Sequence, residues 1–155
     1  MAKFKKARPE IEEMARKIIA QHHSDLVEAK IEFIEKDGEW NSKGKIKLGS
    51  AQKVSDKMKA LINAVFIITI NGPVWNQLQK EEKEALLDHE LCHCVKVGED
   101  KFGNPKWDIN SHDVEEFSAI IRRHGLWKPD LVQFGKNVRV QLRMFDDAGV
   151  LKAVK

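Results

Sequence analysis

The order of apolar patterns along this 155-residue chain predicts an α+β domain with a short sheet packed against helices. Three observations lead there. Pro9 to His22 repeats Ile11, Met14, Ala15, Ile18 and Ile19 at helical spacing. Ala64 to Ile70 reads AVFIITI, β-branched and closed by Asn71, Gly72 and Pro73. The segment QKEEKEALLDHELCHCVKVG is rich in helix formers and runs to a stop at Gly98.

The first helix starts with a proline suited to an initial turn, where its missing N–H costs nothing. Ala29 to Glu35 alternates Ile31 and Phe33 with acidic partners, which predicts a strand. Asp37 to Lys45, with Gly38, Asn41 and Gly44, reads as a loop, and Lys45 to Gly49 as a short strand. Ala51 to Leu61 is helical in composition. After the Ala64 to Ile70 strand, Glu81, Glu82 and Glu84 fall in the first turns of the next helix, where they complement its dipole. Leu87, Leu91, Cys94 and Val95 then form one stripe, and Leu86, His89, Glu90, His93 and Val97 a second, one for a core and one for a cleft. A turn-rich stretch from Gly98 to Asn110 contains Gly103, Asn104 and Pro105. The segment SHDVEEFSAIIRRHG follows as a helix capped by Asn110 or Ser111, with Asp113 in its first turn. Lys128 to Asp146 forms a last helix, interrupted in composition by Gly135.

No linker, internal repeat or low-complexity tract divides the chain, so a single domain over residues 1–155 is expected. A charged fraction of 33% and a hydrophobic fraction of 42% are ordinary for a soluble globular protein. The N-terminus lacks the apolar stretch of a signal peptide, and the longest apolar run is too short to span a bilayer. A cytoplasmic protein with no membrane partner is the expectation. Cys92 and Cys94, the only cysteines, point about 200° apart on the expected helix, which disfavours a mutual bond and a Cys-His-Cys thiolate metal site alike and suggests buried small apolar packing. Basic residues gather at Lys3 to Arg8 and along Arg122, Arg123, Lys128, Lys136, Arg139 and Arg143. Intervening acids, and a net charge of only +3, make these a solvated face and support nucleic acid as a partner only weakly.

Chemistry concentrates in the string HELCH, an H-E-x-x-H pattern of His89, Glu90 and His93. Positions four apart share a helix face, so the two imidazoles can converge on one metal ion. Glu90 stands beside the metal's open position and can accept a proton from activated water. A catalytic zinc takes three protein ligands, and the downstream donor is His112, at the expected start of the next helix. Glu116, and after it Glu115, are alternatives that would complete a two-histidine, one-carboxylate site. His22 and His23 are adjacent near a helix end and need no metal.

DHELCH followed by HDVEEFSAIIRRHG, preceded by VFIITINGPVWNQLQKEEKEALL, resembles the putative phage metallopeptidase domain family and, more distantly, the SprT-like zincins, over roughly Ile11 to Trp127. The resemblance implies a small zincin-like core, a Zn2+ cofactor, and a third ligand from the start of the next helix. SprT-like proteins carry a histidine-glycine pair and then a phenylalanine there; this chain has His112, Asp113 and Phe117 without the glycine. It also implies that the Ala64 to Ile70 strand borders the cleft and pairs with a peptide by its exposed edge, with Val74 and Trp75 as lining or as core. Many zincins stabilise the oxyanion with a tyrosine or histidine, and this chain has no tyrosine. Arg123 and His124 are candidates, although cations at a helix C-terminus need no such role.

The activity expected is zinc-dependent peptide hydrolysis with Glu90 as general base, on a protein or peptide substrate. Two other classes share the ligands: a zinc hydrolase with a non-peptide substrate, and a structural-zinc module that binds DNA or protein. In the last, Glu90 would be dispensable.

Overall fold

The computed structural model describes residues 3–147, and among them the chain is a mixed α+β molecule of small sheets and six helices. Its elements are β1 (Lys3–Lys6), α1 (Pro9–His22), β2 (Ile31–Asp37), β3 (Asn41–Ser42), β4 (Lys45–Ile46), β5 (Gly49–Lys53), α2 (Asp56–Lys59), β6 (Phe66–Asn71), α3 (Gly72–Trp75), α4 (Lys80–Cys92), β7 (Cys94–Glu99), β8 (Pro105–Ile109), α5 (Ser118–His124) and α6 (Pro129–Asp147). They fall into two compact units, Met1–Ser111 and His112–Lys155. Residues 1–2 and 148–155, the ends of the expected single domain, lie outside the described residues.

In the first unit the main sheet runs β1-β2-β6-β5. β6 is its pivot. Phe66, Ile68 and Ile70 are inaccessible to solvent, and Thr69 and Asn71 are buried too. Burial of so apolar a strand on both faces favours partners on both edges, and β6 has them: β2 runs parallel (Ile31 opposite Phe66) and β5 antiparallel (Gly49 opposite Ile70). Ile11, Ala15, Ile18 and Ile19 of α1 and Leu86, Leu87 and Leu91 of α4 share one core with Ile31, Phe33, Phe66 and Ile68. Trp107 of β8 closes that core edge-on to Phe66, with ring centroids 5.9 Å apart.

The α1 helix and the β2 and β6 strands lie where the apolar spacing predicts them, within two residues. Other expectations are corrected. Ala51 to Leu61 is not a helix: Gly49 to Lys53 pairs with β6, leaving only the turn Asp56–Lys59, capped by the Ser55 hydroxyl. The expected loop from Asp37 to Lys45 contains the β3–β4 hairpin. The metal-motif helix stops at Cys92 instead of reaching Gly98, because residues 94–99 pair with 105–109 in an antiparallel hairpin. Asp100 holds that turn by accepting from the N–H groups of Phe102 and Asn104, which keeps its carboxyl below the usual range. Cys94 therefore lies on a strand, not on the helix with Cys92; it is buried as expected, whereas Cys92 is exposed and does not take the expected packing role. Finally, β6 is central and offers no free edge to a peptide, and Trp75 is fully buried core.

In the second unit, residues 112–117 are not helical. Glu116 accepts from its neighbour's N–H at Phe117 and from the Trp127 indole, and this local bonding holds the segment out of the helix until Ser118. Neither Asn110 nor Ser111 is a cap; Phe117 occupies that position. α6 runs through Gly135, where an added Cβ would stand 2.6 Å from the Leu126 side chain.

Glu35 sits on the core-facing row of β2 after Ile31 and Phe33, and its side chain is 1% accessible. Three bonds from Arg8 neutralise it: the backbone N–H at 2.8 Å, Nε at 3.1 Å and Nη2 at 2.7 Å. Arg8 Nη1 also reaches Asn76 Oδ1 at 2.6 Å, tying the start of α1 to β2 and to the residue that ends α3. The Arg8 hydrogen bonds hold the Glu35 carboxyl below its usual range despite burial. A depressed folded pKa contributes stability that is present above the ordinary glutamate range near 4.3 and is lost as pH falls through the folded value. Glu35→Gln should cost about 1–3 kcal/mol at neutral pH, since it weakens charge-assisted bonds while the partly exposed guanidinium keeps Asn76. Urea denaturation from neutral pH to pH 3 should show the wild type losing its advantage over Glu35→Gln as acid is added.

Candidate metal centre

α4 is set up at its first turn, where Glu82 Oε1 accepts from the Gln79 N–H at 2.9 Å. Leu87 and Leu91 anchor it in the core. That anchoring fixes its rotation: His89 faces solvent, Glu90 is turned inward at 4% accessibility, and His93 is half-buried. His93 ends the helix, but its backbone is still helical (φ −72°, ψ −21°), so the four-residue spacing holds to the last position. The two imidazoles lie edge to face with centroids 5.1 Å apart and offer ring nitrogens within 4.8 Å of one another.

The hairpin that ends α4 also orients His93. Asn110, one residue beyond β8, donates its N–H to the His93 carbonyl at 2.7 Å, and its own carbonyl lies 2.6 Å from His93 Nδ1. A carbonyl only accepts, so Nδ1 carries the proton, and in the neutral ring the lone pair of the kind that ligates metals is on Nε2. Two nitrogens four apart, one with its tautomer fixed this way, are a donor set that fits zinc.

Glu90 owes its position to Gly49, the first residue of β5. A Cβ at Gly49 would stand 3.1 Å from Glu90 Oε2, 3.3 Å from Glu90 Cγ and 3.1 Å from the Thr69 carbonyl. A side chain there would crowd both the carboxylate and the Thr69 carbonyl, and one of them would have to give by a few tenths of an ångström. Burial pushes the Glu90 carboxyl above its usual range, against the opposing charges of His93 and Lys47. A carboxylate turned into the protein beside two imidazoles is equipped to take and return a proton.

The other sequence candidates belong to the second unit. His112 is exposed and is the first residue of the second unit, in a loop instead of at a helix start. Glu116 is occupied by Phe117, Trp127 and Lys128. Glu115 is exposed, and its carbonyl accepts from Lys128. Since no helix carries 112 to 116, the three- and four-residue spacing that favoured those carboxylates no longer applies. Arg123 and His124 are exposed in the last turn of α5, where cations complement the helix dipole. Sequence reasoning missed Gly49 and Asn110, because each acts through a neighbour distant in the chain and leaves no local pattern.

Residues 2–139 match the model of the family described as Putative phage metallopeptidase, and the chain belongs to that family. The family implies a metal cofactor. No curated protein and no solved structure matches the chain. Among the described residues, no helix is long and apolar enough to cross a membrane.

Gly49→Ala should destabilise the protein by about 1–3 kcal/mol, as overpacking of a closed site does. Glu90→Ala removes the atoms it would meet, so the cost of Gly49→Ala should shrink in that background. A double-mutant cycle by urea denaturation measures the coupling, and additive effects would show that Gly49 does not seat Glu90.

Proposed function

We propose that this chain is a zinc-dependent metallopeptidase of zincin-like fold, with Glu90 as general base and His89, His93 and His112 as ligands. The carrying observation is the inward-turned Glu90 between two imidazoles, one of them with Nε2 reserved by the Asn110 carbonyl. His112 is favoured as the third ligand by chain length. Asn110 is bonded to His93, and two residues extend at most about 7 Å, so the next histidine cannot stray far from that end of α4. A single functional domain over residues 1–155 is part of the same proposal. Glu116, held by Trp127 and Lys128, is the weaker alternative.

A bound zinc ion supplies Lewis acidity, polarising a carbonyl and making water nucleophilic at neutral pH. Glu90 accepts the proton of the attacking water at a carboxylate oxygen and hands it to the leaving amine. Burial raises its proton affinity toward what both transfers require. Gly49 holds that carboxylate in place, and Asn110 keeps His93 in one tautomer. The substrate is a protein or peptide.

Dialysed wild-type protein should retain zinc, and His89→Ala or His93→Ala should lose it from this site; full retention by His89→Ala would overturn the ligand assignment. If His112→Ala alone keeps its zinc, Glu116 or Glu115 takes the third position. Affinity should fall in acid, where protons compete for the imidazoles.

Glu90→Gln should keep the metal and lose about 10²- to 10⁴-fold in hydrolysis of an unbiased peptide library. Equal turnover by the two proteins would rule out the general base and favour a structural zinc in a binding module. Without metal, Glu90→Gln should melt at a higher temperature than wild type at neutral pH, because the amide buries no charge.

A further inference from the structure

α4 carries a second pair of potential ligands four residues apart, Asp88 and Cys92, displaced by one position and so by about 100° from His89 and His93. This pair meets the end of α1. His23, the residue that terminates α1, places Nε2 2.6 Å from Asp88 Oδ1 across 65 residues of chain. The donor atoms of His23, Asp88 and Cys92 all lie within 4.8 Å of one another. His23 and Asp88 are half-buried, and Cys92 is exposed, so the cluster is built on the fold yet open for loading. The scaffold beneath it is rigid: Ile11, Ala15 and Ile18 of α1 share the core with Leu87 and Leu91 of α4, and Lys83 meets Glu10 at 3.3 Å.

We infer that His23, Asp88 and Cys92 form a second metal site, separate from the His89/His93 centre, for a borderline divalent cation of the zinc class. One imidazole nitrogen, one carboxylate oxygen and one sulfur match zinc, whereas calcium and magnesium take oxygen ligands almost alone. Bonds of about 2.0–2.3 Å to zinc put tetrahedral ligand atoms roughly 3.3–3.8 Å apart. Loading therefore opens the His23–Asp88 contact by about 1 Å and draws the thiolate in, movements within the reach of side-chain rotation. The Cys92 thiol proton passes to solvent as sulfur binds, and no electron changes hands. Three protein ligands leave a fourth position for water. With the metal in place, the end of α1 is fastened to the same turn of α4 that bears His89 and His93. This site stands whether or not the peptidase reading does.

Cobalt(II) titration of the metal-stripped full chain tests it, because a thiolate ligand adds an intense near-ultraviolet charge-transfer band that nitrogen and oxygen ligands do not. Wild type should bind two equivalents with this band. Cys92→Ala should bind one and lose the band, and His23→Gln should weaken the same equivalent. The His89→Ala/His93→Ala double variant should bind one with the band intact. Cys94→Ala is the control: that thiol is buried and approaches the Glu90 carbonyl at 3.8 Å, so its removal should leave the band unchanged. Circular dichroism confirms that each variant is folded. No band in the wild type, or a band that survives Cys92→Ala, overturns the site. If the His89→Ala/His93→Ala variant still binds two equivalents, the first centre fails while this one holds.

Discussion

The two-sided pairing of β6 is the constraint on which the rest of the first unit depends. A six-residue strand with almost no accessible surface has to satisfy its backbone on both edges, so it recruits β2 in parallel and β5 in antiparallel register. The parallel pairing requires a crossover, and the antiparallel one brings residues 49–53 back along the strand. The second consequence reaches the chemistry. Register sets Gly49 opposite Ile70, and that position is where the Glu90 carboxylate finds room. The β5 sequence GSAQK has little strand character of its own; its conformation is imposed by its partner.

Two buried glutamates show how environment divides labour among identical side chains. Glu35 is enclosed by Arg8, which supplies three hydrogen bonds and a positive charge, and its carboxyl is held low. It serves the fold by fastening α1 to β2. Glu90 lies as deep, but burial dominates over the more distant charges of Lys47 and His93, and its carboxyl is pushed up. Burying a carboxylate without a close cationic partner costs stability, so Glu90 does not serve the fold as Glu35 does.

The end of α4 is equally consequential. A helix continued to Gly98 would have left His93 mid-helix, with its second ring nitrogen facing whatever solvent or side chain lay nearby. The β7–β8 hairpin instead returns the chain to His93, and Asn110 bonds to it twice. One structural event thus ends the helix, orients the His93 imidazole and leads into the segment that carries His112. Asp88 on the same helix meets His23 at the end of α1, so both candidate clusters share α4.

Local pattern alone determined the α+β class, the α1 helix, the β2 and β6 strands, the placement of His89 and Glu90 on a helix and the family itself. Each of these is written in spacing over a few residues: 3.6-residue apolar repeats in α1, β-branched runs in β6, and imidazoles four apart. The tertiary structure alone decided what depends on partners far along the chain. It converted Ala51 to Lys53 and Cys94 to Val97 from expected helix to strand, because ladder bonds to β6 and β8 outweigh weak local propensity. It made Trp75 core, seated Glu90 on Gly49, and chose the protonated nitrogen of His93 through Asn110. Helix spacing can say which side chains share a face; only packing and long-range hydrogen bonds say what that face meets.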